Sequence, residues 1–76
     1  MKAFILISLQ EHTERDVLSE LRSFSEVKNA YILFGEWDIL AEVDIESAEE
    51  LGTFVLNQLR SRNDVRLTSS LIVAAK

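Results

Sequence analysis

The sequence predicts one α+β domain in which the chain order β-α-β-β-α-β builds a four-stranded antiparallel sheet with two helices on one face. Three patterns lead there. An apolar run of strand length opens the chain, two amphipathic segments each begin at a helix-capping signal, and a glycine turn joins two β-rich runs between them. The 76 residues hold one core, because domains typically need about 50 to 200 residues.

Ala3-Phe4-Ile5-Leu6-Ile7-Ser8-Leu9 is apolar without helical spacing, which reads as a central strand covered on both faces. Thr13-Glu14-Arg15-Asp16 then offers an N-cap hydroxyl with an acid three residues on. Val17, Leu18, Leu21 and Phe24 follow at the spacing of one helix face. Val27 to Phe34 is rich in β-formers, and Phe34-Gly35-Glu36-Trp37 supplies a turn. Asp38 to Ile45 alternates Ile39, Ala41, Val43 and Ile45 against Leu40, Glu42 and Asp44, so the two runs form a hairpin. Ser47-Ala48-Glu49-Glu50 is a capping box before Leu51, Phe54, Val55 and Leu59, giving a second helix that ends near Arg60 to Asn63. Gly52 in that helix costs up to about 1 kcal/mol against Ala, for which close helix packing is the expected reason. Val65 to Ala75 is the last strand.

This order contains two strand-helix-strand crossovers, and their right-handedness puts both helices on the same side of a ferredoxin-like sheet. The other side is left uncovered. Alternation places apolar side chains on both faces of the first strand, Ile5 and Ile7 on one and Phe4 and Leu6 on the other, and Leu40, Ile72 and either Ile32 or Tyr31 are expected to add to the uncovered side. An apolar patch of that extent needs a partner, and a second copy is the expected one, giving a homodimer through the sheets. The chain has no cysteine, so neither disulfides nor thiolate metal sites supplement a core this small, and association is left to do so.

Thirteen acidic against eight basic residues give a net charge of −5. Direct nucleic-acid binding is disfavoured, since phosphate affinity requires a concentrated positive surface. Arg60, Arg62 and Arg66 are the only loose grouping, and they read as a solvated helix end. Ala3 to Leu9 is too short to span a membrane and no signal-cleavage pattern follows it, so a cytoplasmic protein is expected. Catalysis finds little support. His12 is the sole histidine, the two glycines form no phosphate-binding loop, and no cofactor is implied. Glu42, among apolar neighbours, is expected to pair with Lys28 or Arg66.

At Tyr31-Ile32-Leu33-Phe34-Gly35-Glu36-Trp37-Asp38-Ile39-Leu40-Ala41-Glu42-Val43, and across essentially its whole length, the chain resembles the effector-binding module of Lrp/AsnC-type regulators. There an aromatic strand leads through Gly-x-[aromatic]-Asp into an alternating strand, and Thr68-Ser69-Ser70-Leu71-Ile72 is similar to that module's hydroxyl-rich final strand. The first residues already form the first strand, so the resemblance is to a stand-alone module without a helix-turn-helix. It implies sheet-paired dimers, rings of dimers, an amino-acid effector between them, and full-length Lrp/AsnC regulators as partners. It also implies a ligand site at Gly35, Glu36, Trp37 and Asp38, with Thr68 and Ser70 facing the same way across the sheet. Asp38 would be the acceptor for an effector's ammonium group and backbone N–H groups near Gly35 would meet its carboxylate.

Each of these residues also has an ordinary structural reading. Gly35 suits a turn with positive φ, Asp38 an Asx-type bond, Trp37 interface packing, and the hydroxyl residues an unexceptional strand. Two further functions therefore stay open beside the sensor: a cofactor-independent enzyme of the dimeric α+β-barrel kind, for which His12 and Asn29 are the only candidates, and a ligand-free oligomerisation module.

Overall fold

Alternate residues of β1 (Lys2–Leu9) are fully buried at Ala3, Ile5 and Ile7, which fixes one side of this strand as the core side. In the computed structural model, which describes residues 1–76, β1 lies between β3 (Ile39–Asp44) and β4 (Val65–Ile72), with β2 (Val27–Ile32) outside β3. All three pairings are antiparallel, in the order β2-β3-β1-β4. Helix α1 (Glu14–Ser23) joins β1 to β2. Helix α2 (Ala48–Phe54) continues as a π-helical turn, Val55–Leu59, before β4. This is the ferredoxin-like arrangement the element order predicted.

Ala3, Ile5, Ile7, Ala30, Ile39, Ala41 and Val43 from the sheet share one core with Val17, Leu18, Leu21, Leu51, Phe54, Val55 and Leu59 from the helices. Phe24 and Phe54 lock the two helices edge to face, with ring centroids 5.5 Å apart. The π turn closes through Arg60 N–H to the Val55 carbonyl at 2.9 Å and keeps both Val55 and Leu59 buried. Ser47 caps α2 as its sequence promised, its hydroxyl accepting from the Glu50 N–H at 3.0 Å.

Several expectations are corrected. The strands are shorter than expected, since β2 stops at Ile32 and β4 at Ile72. Thr13 occupies the N-cap position of α1 without capping it; its hydroxyl donates instead to Asp64 at 2.7 Å. Gly52 is exposed, and a Cβ there would meet nothing within 4 Å, so close packing does not account for it. Glu42 accepts from Asn29 at 3.1 Å and pairs with Lys2 at 3.4 Å, rather than with Lys28 or Arg66. Asn29 first and Lys2 second hold its carboxyl below the usual carboxylate range.

The uncovered face also differs in membership. Leu6 pairs with Leu40 and Tyr31 with Leu40, so these three share the open face with Phe4. Ile32 stands opposite core Ile39, and Ile72 opposite core Ala3, which puts both on the helix side. Leu71, opposite Phe4, takes the place expected for Ile72 and is half exposed. The open face is therefore an apolar strip of Phe4, Leu6, Leu40, Tyr31 and Leu71, bordered at one end by the Lys2, Glu42 and Asn29 cluster.

Candidate functional site

At the opposite end of this strip β1 and β4 lose register. Ser8 pairs with Leu67, but Leu9 pairs with Val65, so Arg66 is the extra residue of a bulge. A bulge sets two residues against one and re-aims a side chain. Here it brings Arg66 to Ser8, whose hydroxyl accepts from the guanidinium at 3.0 Å. Ser8 is the only buried polar residue of the fold, and this bond satisfies it.

The β2-β3 loop supplies the other wall. Gly35 has φ of +135°, the only positive φ in the chain, and no other residue type accepts that backbone without strain. Asp38 ties the returning strand to β1 through two bonds and to the end of β2 through a third. Its carboxylate accepts from Leu9 N–H at 2.7 Å, its N–H donates to the Ile7 carbonyl at 2.9 Å, and its carbonyl accepts from Leu33 N–H at 2.8 Å. The carboxylate thus caps β1 on its β3 side, just past the last β1–β3 pair. Trp37, half-buried, and Glu36, exposed, are carried between these anchors.

Ser8, Glu36, Trp37, Arg66 and Leu67 together line a cavity of ≈ 290 Å³. Of the residues singled out from sequence, Glu36 and Trp37 line it, while Gly35 and Asp38 shape and anchor its loop without lining it. Thr68 and Ser70 stand opposite Ile7 and Ile5, on the helix-bearing side, and are not brought to it. Ser8, Arg66 and Leu67 were missed. Nothing in the sequence marks the bulge that assembles them, and by sequence alone Arg66 groups with the helix-end cations.

That grouping separates in three dimensions. Arg60 ends the π turn, whereas Arg62 grips Asp64 through two bonds of 2.9 Å and also pairs with Glu20. Asp64 is held at about 2 by Arg62 chiefly, with help from the Thr13 hydroxyl. A polar cleft lined by Glu11, Ser61, Arg62, Asn63 and Asp64 lies over this cluster, whose charges are already paired. His12 is fully exposed beside Glu14. No group of three or more His, Cys, Asp or Glu side chains is placed to hold a metal, and no helix is long and apolar enough to cross a membrane.

An antiparallel sheet of this order with a loop-bordered cavity at its open end defines a class of small α+β modules. Known proteins make the class specific. The family model for the Lrp/AsnC ligand binding domain matches residues 2–76, and the chain belongs to that family. It is 34% identical over 73 residues to an uncharacterized HTH-type transcriptional regulator of Pyrococcus abyssi, covering 92% of this chain and 49% of that protein. A second such regulator, from Pyrococcus horikoshii, is 33% identical over 73 residues with the same coverage. The chain spans about half the length of the curated relatives it matches. Among solved structures, FFRP-DM1 is 32% identical with a TM-score of 0.88 and is covered over 96% of its length, as this chain is over 95%. AsnC of E. coli is 28% identical with a TM-score of 0.89, covering 99% of this chain and 51% of AsnC. The transcriptional regulator NMB0573 of Neisseria meningitidis, solved as its L-Met complex, is 27% identical with a TM-score of 0.85, covering 99% of this chain and 50% of that one.

Proposed function

We propose that this chain is a non-enzymatic effector-binding module of an Lrp/AsnC-type regulatory system, which takes up a free amino acid and passes its occupancy on through association. The carrying observation is the ≈ 290 Å³ cavity walled by Glu36 and Trp37 of the Gly35-to-Asp38 loop. Its size lies at the small end of ordinary ligand pockets, which suits a single small metabolite. The L-Met complex of the Neisseria regulator supports an amino acid as the chemical class.

The apolar strip supports assembly. Phe4, Leu6, Leu40, Tyr31 and Leu71 present an apolar patch on a sheet that has helices on its other side only, and a second copy of the same face is its simplest cover. In this reading the dimer, and a ring of dimers, connects the module to full-length Lrp/AsnC regulators, which provide contact with DNA. The chain's own net charge of −5 argues against direct nucleic-acid binding. Calorimetry against the twenty amino acids tests the reading. One or a few should bind; if none binds at millimolar concentration, the sensor function is wrong.

A further inference from the structure

Two opposite charges line one cavity and leave each other alone. Arg66 and Glu36 both face the ≈ 290 Å³ space, yet neither forms an ion pair with the other or with any other residue. The ion pairs elsewhere in the chain do close: Lys2 with Glu42 at 3.4 Å, and Arg62 with Asp64 at 2.9 Å. Arg66 is held back by one bond to Ser8, and Glu36 is carried on a loop fixed by the positive φ of Gly35 and the bonds of Asp38. The guanidinium has five N–H donors in a planar fork, of which the Ser8 bond uses one.

We infer that Arg66 and Glu36 form a bracket for a zwitterion, Arg66 taking the α-carboxylate and Glu36 the α-ammonium of a free amino acid. This rests on the effector-binding reading above and deepens it by assigning the two charged ends. A planar guanidinium matches a carboxylate with two parallel bonds, and an ammonium leaving water needs a charged acceptor to offset its desolvation. Trp37 and Leu67 then form the apolar wall against the ligand's side chain, so aliphatic amino acids fit better than acidic or basic ones. Asp38 is the positioning residue. One of its oxygens is already committed to Leu9 N–H, and its work is to hold Glu36 and Trp37 in place rather than to meet the ammonium itself.

The test changes the ligand as well as the protein. Trp37 is the only tryptophan, so its emission reports on the cavity wall, and calorimetry gives affinity independently. An amino acid that binds the wild type should lose about ten- to a hundredfold in affinity with Arg66→Gln. Its carboxamide, which lacks the carboxylate charge, should bind the wild type as weakly as the free acid binds R66Q, with little further loss when carboxamide meets R66Q. Glu36→Gln and the N-acetyl derivative should behave in the same paired way at the other end. An amino acid that binds R66Q and wild type alike, or binds no better than its carboxamide, overturns the bracket and leaves the sensor reading standing. No binding of any amino acid overturns both. The carboxamide comparison uses the unaltered protein, so the inference stays falsifiable even if a variant folds poorly.

Discussion

Asp38→Ala will destabilise the domain by about 2 kcal/mol, and the structure says where that loss arises. The carboxylate accepts from Leu9 N–H at 2.7 Å, at the position where β1 leaves the β3 ladder. Removing the acceptor leaves a partly buried N–H without its protein partner. A hydrogen bond to a charged group contributes about 1.5 to 3 kcal/mol, and half-burial of Leu9 lets water recover some of it. For a domain of this size each kcal/mol shifts Tm by about 4 to 8 °C, so melting should fall by roughly 8 to 16 °C at fixed protein concentration. Asp38→Asn keeps a neutral acceptor and should lose about half as much, since charge-assisted bonds are about twice as strong as neutral ones. Thermal and urea unfolding of the three proteins measure this. If Asp38→Ala costs less than about 0.5 kcal/mol, the level of an ordinary surface substitution, then the carboxylate does not cap β1 as described. Asp38→Asn as stable as the wild type would show that its charge is irrelevant.

Phe4→Glu sets a charge opposite Glu42 and Leu71 on the open face, and light scattering should show the wild type as a dimer or larger and the variant as a monomer; a variant of unchanged mass would place the interface elsewhere. Asp64 predicts an acid limb. Its folded pKa of about 2 lies below its ordinary 3.8, so the stabilisation is present above about pH 4 and is lost as pH falls through about 2. One pKa unit corresponds to about 1.4 kcal/mol, and water reaches this pair, so about 1 to 2 kcal/mol should disappear over that window. Asp64→Asn should start lower and lose correspondingly less between those pH values in urea titrations; parallel curves for the two proteins would refute the pairing with Arg62.

What was legible in the sequence was whatever depends on periodicity within one element. The alternation of Ile39, Ala41 and Val43 against Leu40 and Glu42, the helical spacing of Val17, Leu18 and Leu21, and the Ser47 cap each declare a local state that tertiary packing then keeps. What was hidden depends on register between elements. Continuing the Leu9–Val65 pairing along β4 without interruption would set Ile72 opposite Lys2, on the open face where it was expected. The bulge shifts the pairing by one residue, sets Ile72 opposite Ala3, and a one-residue slip exchanges the two sides of a strand. Neither glycine nor proline marks that bulge. Thr13 was misread for a related reason: its capping signal is local, but Asp64 arrives from 51 residues away and takes the hydroxyl.

The bulge therefore hides and builds the site at once. In an uninterrupted ladder a residue between Val65 and Leu67 would point away from Ser8, and the open face would end in a plain pair of strands. The extra residue instead turns Arg66 beside Leu67 toward Ser8, across from a loop whose own irregularity is the +135° φ of Gly35. Two departures from regular pairing, on strands flanking opposite edges of β1, thus converge at one end of the sheet. Regular pairing would have satisfied the backbone more simply there. That the chain gives it up on both sides of Ser8, and leaves an unpaired cation facing an unpaired anion in the space between, is the physical reason to look for the ligand at this end of the open face rather than along its apolar centre.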